Sequence, residues 1–181
     1  WIDLDMPIIP ISVNVSRIDL DDPNFEKVLL DLIDKYRIPT AFFILEITET
    51  TYANFTERHI ERIGRLRRRG FRVAMEDFGS GYSSLNMLKD VYIDDLKIDL
   101  GFLTGIGENA RGEKILQLVV DLANDLDLGV IAEGVEESHQ ADFLTGIGCQ
   151  TAQGYYFAKP MPLNEFEKFL AEDQVGGERH H

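Results

Sequence analysis

Short apolar runs alternate along the chain with longer stretches whose apolar residues recur at helical spacing. Residues 8–16, I-I-P-I-S-V-N-V-S, are β-branched and predict a buried strand. Its pairing should begin after Pro10, which brings no backbone donor. Residues 17–22 read as a connection. Pro23 opens a predicted helix that carries Phe25, Val28, Leu29, Leu32 and Ile33 on one stripe, and Ile38-Pro39 closes it. A second strand is predicted at 42–48, a helix at 55–69 stopped by Gly70, and a third strand at 71–77. A short helical stretch at 83–89, a fourth strand at 95–99 and a glycine-rich loop at 101–112 follow. The remainder predicts a helix at 113–126, a fifth strand at 129–134, a helix at 138–144 capped by Ser138, a sixth strand within 148–157 and a last amphipathic helix at 162–170.

Six strand–helix units in strict alternation predict a parallel sheet with right-handed crossovers. Every strand also carries a polar residue in or just after its apolar run: Asn14, Glu46, Glu76 with Asp77, Lys97, Glu133 and Gln153. An open, doubly wound sheet gathers such groups at one switch point, whereas an αβ-barrel uses the C-terminal ends of all its strands. The expected fold is therefore a TIM-like (β/α) barrel. A closed barrel needs eight strands and roughly 250 residues, so it is expected to be incomplete, lacking about its first two strand–helix units. Residues 1–172 read as one domain. Residues 173–181 read as a flexible tail that carries the start of a histidine tag.

The sharpest local feature is V-A-M-E-D-F-G-S-G-Y-S-S-L from Val73. Two adjacent carboxylates, Glu76 and Asp77, end an apolar run and repel each other unless a proton or cation lies between them. A divalent metal would suit them, because hard cations prefer oxygen ligands; equally, acids before a turn can cap a following helix. Lys97 and Asp99 stand on one face of a strand, two residues apart, as site residues or as an internal salt bridge. Asn14 and Gln153 could serve a site or satisfy buried backbone groups. His59 and His139 fall on predicted helices without ligand partners and read as surface residues. Arg65, Arg67, Arg68 and Arg69 read as a solvated face that offsets the helix dipole.

Composition narrows the function. A formal net charge of -14 over 181 residues argues against bulk nucleic acid or an anionic membrane as the main partner. One cysteine, Cys149, cannot form an internal disulfide. No apolar run is long enough to span a bilayer. The expected location is cytoplasmic, in a full-length protein that a membrane segment elsewhere could tether.

Taken together, S-V-N-V-S at Ser12, L-E-I-T-E at Leu45, E-D-F-G-S-G-Y-S-S-L at Glu76, L-K-I-D at Leu96, A-E-G-V-E at Ala132 and Q-G-Y at Gln153 resemble the EAL domain family. Those domains are cyclic di-GMP phosphodiesterases of bacterial second-messenger signalling, or inactive relatives that bind the nucleotide. The resemblance implies two Mg2+ or Mn2+ ions. Asn14, Glu46 and Glu76 match ligands of one, with Glu76 in the bridging place, and Asp77 and Glu133 match ligands of the second. Lys97 resembles the lysine that orients the attacking water, and Glu133 the general base. Glu49 resembles a glutamate that anchors the loop after the third strand. Asp99, Glu136 and Gln153 match substrate-binding or secondary positions. The resemblance also implies a homodimer and further sensory or cyclase domains in the full-length protein.

Two departures matter. The family's naming Glu-Ala-Leu motif, whose glutamate is a metal ligand, is absent, so this stretch alone is expected to be inactive. The usual Asp-Asp pair is Glu76-Asp77 here. That substitution motivates a second reading, a catalytically weak receptor module for cyclic di-GMP.

Overall fold

A computed structural model of the chain describes residues 1–4, 6, 8–79, 88, 92–99, 101, 106, 107 and 109–175. Six parallel strands lie side by side in chain order: β1 (Ile11–Asn14), β2 (Phe43–Thr48), β3 (Arg72–Phe78), β4 (Asp95–Ile98), β5 (Gly129–Ala132) and β6 (Thr151–Ala152). In a strictly sequential order the winding never reverses, so right-handed crossovers carry every helix to the same face. The result is a curled half-barrel with its helices outside, an incomplete version of the TIM-like barrel.

Among the described residues the α-helices are α1 (Arg17–Asp21), α2 (Phe25–Tyr36), α3 (Glu49–Ala53), α4 (Glu57–Arg68), α5 (Ala110–Asp125), α6 (Ser138–Gly146) and α7 (Leu163–Val175). In register, Leu45 lies beside Val73, Ile47 beside Met75, Leu96 beside Val130 and Ile98 beside Ala132. Side chains alternate across a strand, so these residues share the face turned to the helices. All are buried, with Leu20, Ile63, Leu66, Leu116, Val120 and Leu144 packed into the same core. The opposite face takes the intervening residues, Asn14, Glu46, Asp95 and Lys97 among them. Trp1 packs on α7: its Nε1 donates to Glu167 Oε1 at 2.8 Å, and its ring lies 6.2 Å from that of Phe166.

Several expectations need correction. Residues 17–21 are helix α1, not a connection; Ser16 and Asp19 close a capping box around its first turn. The second helix starts at Phe25 rather than Pro23. The segment after β2 holds the separate helix α3, capped by Thr48, whose Oγ1 accepts the Thr51 N–H at 3.2 Å. The helix expected at 113–126 begins at Ala110. Glu137, not Ser138, caps α6. β5 and β6 stop one residue before Glu133 and Gln153, respectively. The last helix, expected at 162–170, runs from Leu163 to Val175. The stretch expected to be helical at 83–89 lies outside the described residues apart from Leu88, as does the tail beyond Val175.

His59, expected on the surface, is buried. Its Nδ1 accepts the Thr56 N–H at 3.2 Å, which leaves Nε2 to donate to Asp21 Oδ1 at 2.8 Å and tie α4 to α1. His139 is half exposed, as expected. The arginine cluster is partly neutralised: Arg65 pairs with Glu26 at 3.0 Å, and Arg67 makes a forked pair with Asp94.

Candidate active site

The inner face of the sheet converges on the ammonium of Lys97. Its Nζ lies 2.6 Å from Glu46 Oε1, 2.7 Å from Glu133 Oε1 and 3.4 Å from Glu76 Oε1. The carboxylates come from β2, β3 and the residue after β5, and only the curl of the sheet brings them together. The Lys97 side chain is 5% exposed. Burial alone would depress its pKa, but hydrogen bonds with Glu133 and Glu46 outweigh that and raise it above the usual lysine value. Glu133 is also raised, because its burial outweighs the attraction of Lys97, and Glu76 and Glu46 add like-charge repulsion. The asymmetry is physical: the ammonium gains three carboxylates, whereas each carboxylate shares one ammonium with two rivals.

β3 is irregular where its acids stand. Met75 pairs with Leu96 and Phe78 with Ile98, so Glu76 and Asp77 together oppose Lys97. Two residues facing one make a β-bulge, and Asp77 takes the left-handed conformation with φ +58°. In a regular strand, adjacent side chains point to opposite faces. The bulge breaks that alternation next to the site.

Asn14 stands beside Glu46 in register, exposed on the edge strand β1. Glu49, the first residue of α3, is buried, and its Oε2 accepts the Gly79 N–H at 3.1 Å, just past the bulge. Asp99 does not pair with Lys97, which sets aside the internal salt bridge; its Oδ1 accepts the Gly101 N–H at 2.7 Å. Gln153 Nε2 donates to Glu133 Oε1. That contact depends on Gly154, where an added Cβ would lie 2.1 Å from the Val135 carbonyl oxygen. The close approach is fixed by Val135 N–H donating to Gln153 O and Tyr156 N–H to Val135 O, both at 3.0 Å. Glu136 is exposed, and with Gln153, Gly154, Tyr155 and Lys159 it lines a cleft of about 610 Å³ beside the cluster.

The donors are all hard oxygens, which is the set that magnesium, manganese or calcium takes. Three carboxylates around one ammonium leave the centre negative, so an anionic ligand would be repelled without an added cation. In chemical type the residues fit a divalent metal. Among the described residues, however, no group of three or more Asp, Glu, His or Cys side chains is arranged to hold one. Two contributors escaped the sequence reading: Thr48, which lies beside Glu76 in register, and Tyr52 on α3, whose hydroxyl accepts the Tyr92 N–H at 3.2 Å. Thr48 followed three residues later by Thr51 was the only trace of that helix's start.

Comparison with known proteins agrees with this geometry. Residues 2–160 match the EAL domain family. The probable cyclic di-GMP phosphodiesterase PdeG of Escherichia coli is 35% identical over 88% of this chain, which covers 32% of PdeG. The chain spans about a fifth to a third of the length of the curated relatives it matches. The EAL domain of Mycobacterium smegmatis DcpA superposes with a TM-score of 0.85 at 34% identity, covering 91% of this chain and 74% of that one. Klebsiella pneumoniae BlrP1, solved with manganese and cyclic di-GMP, superposes with a TM-score of 0.81 at 27% identity, covering 87% of this chain and 41% of that one. On its motifs, its fold and these matches, the chain belongs to the EAL domain family.

Proposed function

We propose that this chain forms the greater part of a phosphodiesterase domain that opens cyclic di-GMP to the linear dinucleotide with the help of divalent metal. The observation that carries the reading is the convergence of Glu46, Glu76 and Glu133 on Lys97 at the C-terminal ends of parallel strands. Asn14, Glu46 and Glu76 would hold one Mg2+ or Mn2+, and Asp77 and Glu133 a second. Such ions neutralise phosphodiester charge and lower the pKa of bound water.

The protein's own groups then have distinct tasks. Lys97 remains protonated and offers its ammonium hydrogens to an attacking water. Glu133, 2.7 Å from the Lys97 ammonium and with its pKa raised by burial, takes that water's proton. Gln153 fixes the orientation of Glu133 through its amide. Glu49 holds the chain just past the bulge through the Gly79 amide and so keeps Asp77 in its left-handed conformation. Glu136 and the cleft beside it would receive part of the nucleotide, with Asp99 at the end of the neighbouring strand. Family resemblance further suggests a homodimer, which light scattering on the full-length protein would test.

The deciding assay is release of linear dinucleotide by the full-length protein with Mg2+ or Mn2+. Turnover that Glu133→Gln abolishes supports the reading; no turnover under either metal defeats it. The receptor reading draws on the longer arm of Glu76, which makes the most distant of the three contacts to Lys97. It predicts nucleotide binding that is indifferent to metal, with no product.

A further inference from the structure

We infer that Tyr52 is a positioning residue for the reaction proposed above, acting through helix α3 to hold the Glu76–Asp77 bulge and the Lys97 strand in register. The inference rests on the phosphodiesterase reading. α3 is only five residues long, yet it touches both sides of the strained turn of β3. Its cap, Thr48, lies beside Glu76 in the sheet. Its first residue, Glu49, takes the Gly79 N–H directly after the bulge. Asp77, at φ +58°, is thus bracketed by the sheet pairing of the helix cap Thr48 with Glu76 on one side and by the Glu49–Gly79 hydrogen bond on the other.

Tyr52 adds the third contact and reaches the other end of the connection between β3 and β4. Its hydroxyl accepts the Tyr92 N–H at 3.2 Å. Two residues later, Asp94 ties the chain to β3, its N–H donating to Val73 O at 2.7 Å and its Oδ2 accepting the Val73 N–H at 2.9 Å. Lys97 follows three residues further on. The exit of β3 and the entry to β4 are therefore both fastened to α3, and the carboxylates of one strand and the ammonium of the next take their relative placement from it. Tyr52 can bear this role because it is itself immobilised: it is buried, and its ring lies 5.0 Å from that of Phe55, which in turn packs on His59 at 5.3 Å.

The test is Tyr52→Phe in the full-length protein, which keeps the ring and removes only the hydroxyl. Loss of the hydrogen bond from the Tyr92 amide, acting on site geometry, should lower kcat about fivefold. It should raise the Mg2+ or Mn2+ concentration needed for half-activation by a similar factor while changing KM for cyclic di-GMP less than about twofold. A merely structural tyrosine would lower the unfolding midpoint and leave the kcat–KM split and the metal dependence unchanged, which would overturn the inference. Hydrogen exchange followed by mass spectrometry separates this idea from the function beneath it. If the wild-type protein turns nothing over, the phosphodiesterase reading fails. The inference then stands only if amide exchange speeds up in Tyr52→Phe around both Gly79 and Tyr92, and falls if exchange there is unchanged.

Discussion

Replacing Lys97 with methionine should expose the electrostatic balance of the site. Methionine keeps an unbranched side chain of similar reach and removes the charge. In the native cluster the oxygens of Glu46 and Glu133 stand 2.6 and 2.7 Å from one nitrogen, with side chains 10% and 15% exposed. Without that nitrogen, two carboxylates about 5 Å apart at an effective dielectric near 20 repel by about 3 kcal/mol. Removing one partner of a buried ion pair typically costs about 3–5 kcal/mol, a loss of the same size. The loss should depend on pH: protonation of one carboxylate relieves the repulsion, so Lys97→Met should be hurt more at pH 8 than at pH 5. Mg2+ should stabilise the variant more than the wild type, because in the variant the cation also offsets the repulsion that the ammonium balances in the wild type. Urea unfolding of the full-length protein at both pH values, with and without Mg2+, measures each part. A loss below about 1 kcal/mol, equal at both pH values and unmoved by Mg2+, would refute the claim that Lys97 balances these carboxylates.

Three further outcomes are expected. Glu76→Asp should raise kcat more than it changes KM, since a 1 Å error in placing a catalytic group can cost about a hundredfold in rate; no gain in the dinucleotide assay would favour the receptor reading. Gly154→Ala sets a Cβ 2.1 Å from Val135 O, so it should destabilise the fold by about 1–3 kcal/mol in urea titrations and lower turnover by shifting Gln153 from Glu133. Asp21 is held below the usual carboxylate range, mainly by its hydrogen bond with His59. A depressed pKa gives stability that is present above the unfolded value near 3.9 and lost as pH falls through the folded one. Asp21→Asn should therefore flatten the acid limb of a stability–pH profile between about pH 5 and 2.

The alternation of runs and stripes was enough to predict the parallel sheet, because burial against outer helices imposes a nearly continuous apolar run on each strand. The same constraint made the polar exceptions legible. Glu46, Glu76, Lys97, Glu133 and Gln153 each interrupt or end such a run, and each belongs to the inner face or to the strand end that leads from it. Other features could not be read from the chain. Lys97 and Glu46 are 51 positions apart, and nothing local specifies that one ammonium serves three strands; the curl of the sheet decides it. The bulge at Glu76–Asp77 is a mismatch between two strands, so it exists only once β3 and β4 are paired. α1 and α3, at five residues each, are too short to show a helical period. His59 carries no sign of burial in its own segment, because its position on α4 becomes interior only when α1 packs across it and Asp21 meets its ring. Periodicity reports which face of an element is apolar, whereas the partner that each polar group finds depends on which elements tertiary packing brings within reach.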